Sequence, residues 1–91
     1  MNVLPRHRVY LKPAAERALK KVADQTARRP IARVVDGLAA TPRPDGAVTI
    51  HGSGGLRRIR AGDYRVVYTL EHATRTVLVV TIGLRREVYR R

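Results

Sequence analysis

The sequence predicts a small α+β domain, β-α-α-β-β-β in order, with a helical hairpin packed on a mainly antiparallel sheet. Three observations lead there. Apolar residues recur at helical spacing only in the first half of the chain. The second half holds β-rich runs separated by short turn signals. The 91 residues suffice for one modest core, so residues 1–91 are read as a single domain.

Residues 7–11 (HRVYL) alternate around Val9 and Tyr10 and suit a short strand. Lys12 and Pro13 stop it. Pro13 suits the first turn of a helix, where its missing N–H costs nothing. Residues 14–23 then place Ala15, Leu19 and Val22 on one helical face and Lys20 and Lys21 on the other. Asp24, Gln25 and Thr26 punctuate. A second helix is expected over residues 27–39, with Ile31, Val34, Val35 and Leu38 in phase; Pro30 fits only its first turn. The run TPRPDG (41–46) ends it, and two helices so closely joined should form an antiparallel hairpin.

Gly52, Ser53, Gly54 and Gly55 read as a hinge near the sheet edge; no Lys-Ser/Thr follows, so they form no phosphate loop. Strands are expected at 56–60 (LRRIR), 64–70 (YRVVYTL) and 76–82 (TVLVVTI), with a tight turn at 61–63 and a hairpin loop at 71–75. Gly83 should end the last strand, and residues 84–91 form a basic tail. The last three strands have short connections and should be an antiparallel meander. The helices cover one sheet face, leaving the other free to bind. Alternation puts Arg58 and Arg60 on one face and Ile59 on the other. Arg65, Val67 and Thr69 likewise oppose Tyr64, Val66 and Tyr68. If Ile59 faces the helices, the arginines face away, and Tyr64 and Tyr68 belong to the core.

Nineteen Lys and Arg against seven Asp and Glu give a formal net charge of +12, which predicts affinity for a polyanion. Only three of the cations are lysines. Arginine grips phosphate with a planar two-pronged donor set that lysine lacks. There is no Cys, so disulfides and thiolate metal sites are ruled out. The three His (7, 51 and 72) and the few carboxylates form no metal-ligand spacing, and no metal or cofactor is expected. No apolar run approaches the roughly 20 residues of a membrane span, and MNVLPRHRVYLK lacks the apolar stretch of a signal peptide. A cytoplasmic protein without membrane contact is expected.

The stretch LRRIRAGDYRVVY (56–68) resembles the signature of the RelE/ParE toxins: a basic-apolar-basic strand, a Gly-Asp turn, then a Tyr-Arg-apolar-apolar-Tyr strand. The ending IGLRREVY (82–89) is similar to that family's closing segment, and Pro42 stands where the family often has a proline after the second helix. The resemblance spans most of the chain. It implies a toxin of a type II toxin–antitoxin module, held inactive by a cognate antitoxin. RelE-like members bind in the ribosomal A site and cleave mRNA there; ParE-like members share the fold but inhibit DNA gyrase.

The resemblance assigns the catalytic positions. Arg65 matches the arginine of the Tyr-Arg strand, Arg58 and Arg60 the basic pair of the neighbouring strand, Arg85 the arginine after the glycine, and Tyr89 the C-terminal tyrosine. RNA can be cut without metal when its 2′-OH attacks the adjacent phosphorus; cations must then stabilise the phosphoryl oxygens. Arg65 and Arg85 are expected to neutralise the phosphate, Arg58 or Arg60 to favour ionisation of the attacking hydroxyl, and Tyr89 to stack on the RNA or exchange a proton with it. Some relatives have lysine at the strand pair and a histidine where Leu84 stands. Arginine is a poor proton shuttle, so proton transfer falls to Tyr89 or water. A full basic set favours ribosome-dependent mRNA cleavage over gyrase inhibition, since ParE-like chains generally lack several of these positions. A structural role is open to each residue as well. Arg65 could pair with Asp63 or a helix carboxylate, Arg58 and Arg60 line a solvated face, Arg85 and Arg86 form a plain tail or an antitoxin contact, and Tyr89 pack on the sheet edge.

Overall fold

The computed structural model describes residues 6–84. Strand β1 (Arg8–Leu11) leads into helices α1 (Pro13–Lys21) and α2 (Gln25–Gly37), followed by strands β2 (Val48–Thr49), β3 (Arg57–Ala61), β4 (Tyr64–Glu71) and β5 (Thr76–Leu84). The expected α+β order holds, with one strand added. The five strands form a sheet in the order β1-β5-β4-β3-β2. Every pairing is antiparallel except β1 with β5, which is parallel. A parallel neighbour needs a long connection, and here both helices and strands β2 to β4 intervene between β1 and β5.

Helix α1 lies over β5 and β1, and α2 over β3 and β4. Both bury apolar stripes against the same face of the sheet. Ala15 and Val22, together with Ile31 and Leu38 of the second helical segment, meet Ile59, Val66, Tyr68, Val77, Val79 and Ile82. Fully burying one such side chain is worth roughly 1.5–3 kcal/mol relative to exposure, so this single layer dominates the stability of so short a chain.

Several local expectations change. Pro30 is the sixth residue of α2, not part of its first turn. Asp24 caps the helix, its carboxylate accepting from the Thr26 N–H at 2.9 Å, and so starts it two residues earlier than the apolar period suggests. Pro30 has no N–H for the carbonyl one turn back. Its ring instead meets the β3–β4 turn: a Cβ at Gly62 would stand 3.3 Å from Pro30 Cγ. Gly62 also has φ +65°, a conformation that costs L side chains energy. Strand β5 does not end at Gly83 but continues to Leu84, because Gly83 pairs with Arg65. The glycine-rich loop is tied rather than open. Ser53 Oγ donates to the Ile50 carbonyl at 2.6 Å and accepts from the Leu56 N–H at 3.0 Å.

Candidate functional site

Strand alternation separates the sheet into two chemically different faces. In β3, Ile59 and Ala61 are buried against the helices, so Arg58 and Arg60 project from the opposite side. In β4, Val66 and Tyr68 belong to the core, so Arg65 and Val67 join those arginines. The register brings them together. Arg60 lies directly opposite Arg65, and Arg58 opposite Val67. Cα atoms of directly opposed residues stand about 4.5–5.5 Å apart, and like charges so placed destabilise a sheet. Three sequence-predicted site residues therefore converge on one face.

Arg65 is the unusual member. It is only 6% exposed, the one charged side chain among the buried described residues. Its Nε and Nη1 have no hydrogen-bond partner among the described residues, so neither Asp63 nor a helix carboxylate there satisfies them. A buried donor without a partner costs on the order of 1–3 kcal/mol, more when charged. An anionic acceptor would satisfy these atoms. Arg60 is exposed, and its Nε donates to the Gly62 carbonyl at 3.1 Å, fixing its stem beside the turn. Across from Arg65 on β5 stands Gly83, which adds no side chain to the face. A register shift between Val67 and Tyr68 makes a bulge in the same strand pair, and bulges re-aim neighbouring side chains. Sequence reasoning missed the bulge and the burial of Arg65. A glycine inside a strand, marking close approach to something, was the available signal.

Arg85 and Tyr89 lie outside the described residues. Among the described residues, no group of three or more His, Asp or Glu could hold a metal ion. No helix there is long and apolar enough to cross a membrane. His72 lies in a different cluster, accepting from Arg43 Nη2 at 2.7 Å. On the helix side, the Tyr68 hydroxyl donates to the Pro42 carbonyl at 2.8 Å. Burial pushes its pKa above the ordinary value near 10, and the charges of Arg57 and Arg43 partly offset the rise. Tyr68 is thus a core residue, as the alternation predicts.

Residues 9–89 match the family described as the ParE toxin of the type II toxin–antitoxin system parDE. The chain belongs to this family of the RelE/ParE toxins. The fold agrees. RelE in the RelE–RelB complex of the archaeon Pyrococcus horikoshii OT3 superposes with a TM-score of 0.75 at 25% identity, over 87% of this chain and 94% of that one. The toxin–antitoxin complex RelBE2 of Mycobacterium tuberculosis gives 0.76 at 20% identity, over 88% and 99%. A YoeB/ParE toxin from Agrobacterium tumefaciens gives 0.74 at 14% identity, over 86% and 98%. No curated protein sequence matches the chain. As a RelE/ParE toxin, the protein carries its arginine face where the helices leave the sheet uncovered.

Proposed function

We propose that this toxin is a metal-independent endoribonuclease that cuts mRNA in the ribosomal A site and is restrained by a cognate antitoxin. The observation that carries the reading is Arg65: a buried guanidinium with two unpartnered nitrogens, directly opposite a second arginine. A phosphoryl group would satisfy both. In the reaction, the 2′-oxygen bonds to the adjacent phosphorus, the bond to the 5′-oxygen breaks, and a cyclic phosphate remains. One proton leaves the 2′-OH and one reaches the 5′-oxygen. Arg65 holds the phosphoryl oxygens as negative charge builds on them. Arg58 and Arg60 add positive potential that favours ionisation of the hydroxyl. Arg85 would join Arg65 on the phosphate, and Tyr89 would exchange the proton or stack on the RNA. The ribosome supplies the geometry of the substrate.

A second reading, inhibition of DNA gyrase without catalysis, is favoured by the family match itself, whose description is that of ParE. Either toxin needs masking, and an acidic antitoxin would complement its charge. In this reading the antitoxin, in a cytoplasmic complex, covers residues 85–89. Hydrogen exchange there should slow on complex formation; unchanged exchange over residues 84–91 would remove that point.

The deciding experiment is primer extension on mRNA from programmed ribosomes, with wild type beside Arg65→Ala. Discrete new 5′ ends inside A-site codons, reduced about 10²–10³-fold in the variant, are expected for loss of one transition-state donor. Uncut mRNA together with arrested gyrase–DNA complexes would transfer the protein to the second reading.

A further inference from the structure

The open face carries one feature that the arginine cluster does not use. Tyr10 is 49% exposed, among the most exposed large hydrophobic residues described. Its neighbours Val9 and Leu11 pack on the core, so its ring stands on the face that Arg58, Arg60 and Arg65 share. The register places Tyr10 beside Leu78 of β5, and Leu78 beside Thr69 of β4. These three form a row across three strands, low in charge and half-open. Arg8, also exposed, lies two residues from Tyr10 on the same face of β1, opposite Thr76.

Strand spacing and rise fix the distance. Tyr10 lies two strands across from β4 and four residues along from Arg65, roughly 16 Å away. Arg58, three strands across and two residues along, is about as far. A phosphate held by the arginines therefore leaves the same strand within reach of Tyr10 a few nucleotides on. Arg8 stands ready for a backbone phosphate there. Exposed aromatic rings on a basic sheet face bind single strands by stacking, since every base offers a π-face.

We propose that Tyr10 is a base-stacking platform, which seats one unpaired nucleobase of the RNA about 16 Å from the phosphate held at Arg65. This inference rests on the reading of the toxin as an RNA-cutting enzyme. It makes Tyr10 a binding residue that sets which part of the message is gripped, separate from bond cleavage. Loss of the ring weakens binding while the arginine cluster remains whole.

The test uses programmed ribosomes whose A-site codon carries 2′-O-methyl groups, so the strand binds without being cut. A single 2-aminopurine is moved along the message nucleotide by nucleotide. With wild type and Tyr10→Phe, its fluorescence should change on binding at one position away from the protected phosphate. With Tyr10→Val, which keeps strand propensity but lacks the ring, that change should vanish and affinity should fall about fivefold to a hundredfold. Arg65→Ala serves as the control for the phosphate site. Binding that Arg65→Ala weakens and Tyr10→Val leaves untouched overturns the platform while the RNA reading stands. Weakening by Tyr10→Val with no position-specific fluorescence assigns the ring to another ribosomal contact and also overturns it. No wild-type binding to the ribosome at all overturns both, and gyrase becomes the partner to test.

Discussion

The two faces of the sheet obey different rules, although the same strands make both. Toward the helices, β4 presents Val66 and Tyr68, each fully buried and in contact with apolar partners. Away from them it presents Arg65, almost as deeply buried but with two nitrogens unsatisfied. Burial stabilises on one side and costs free energy on the other. Depth alone therefore does not separate core from site; satisfaction of the polar atoms does. One face accounts for why the chain folds; the other keeps a charge that folding alone does not explain.

The largest test of this division falls on the helix side. Ile31 is fully buried, and Ile31→Ala should lose about 2–5 kcal/mol in urea unfolding. Toxin activity per folded molecule should be unchanged. A fully folded variant that had lost activity would break the separation of the faces. On the arginine side the sign reverses. Arg65→Met removes the unsatisfied donors while keeping an unbranched stem, and should raise stability by about 1–3 kcal/mol as it abolishes activity. A lower thermal midpoint would show that Arg65 supports the fold after all.

The joint between faces gives a smaller effect. Gly62→Ala forces a side chain into φ +65° against the Pro30 ring, costing about 1–2 kcal/mol. It should also perturb Arg60, which holds the Gly62 carbonyl. Unchanged stability would mean that the turn relaxes freely. The smallest effect concerns Tyr68→Phe, which leaves the Pro42 carbonyl without its donor and should cost about 1 kcal/mol. It carries a pH signature. The folded tyrosine has a pKa raised above its ordinary value near 10, so it holds its proton more tightly folded than unfolded. Its contribution is complete below pH 10 and is lost as pH rises through the folded value. Stability above pH 10 should fall more steeply in wild type than in Tyr68→Phe.

Much of this was legible from period alone. The alternation of residues 57–60 and 64–69 separates arginines from core residues, because a strand has only two sides. The helical stripe through Ile31 and Leu38 was legible for the same reason. What escaped depends on partners distant in sequence. Strand β2 is two residues held by pairing with Arg57 and Arg58, too short for alternation to mark it. The parallel place of β1 beside β5 leaves no local trace. The start of α2 turned on one hydrogen bond that Asp24 accepts from the Thr26 N–H, and Pro30 falls inside the helix that begins there. Family resemblance singles out Arg65 as a candidate, but its burial was not legible, since the alternation that places it on the open face also suggests exposure.

The pairing of β1 with β5 has a temporal side. Arg8 and Thr76 are register partners although most of the described chain separates them. A nascent chain leaving the ribosome presents β1 and both helices first, with no sheet to rest on. Pairings this far apart in sequence form late and slowly. Gly83, which faces Arg65, also arrives with β5. The arginine face is thus assembled only when synthesis has passed the last strand, and a half-made copy carries only part of it.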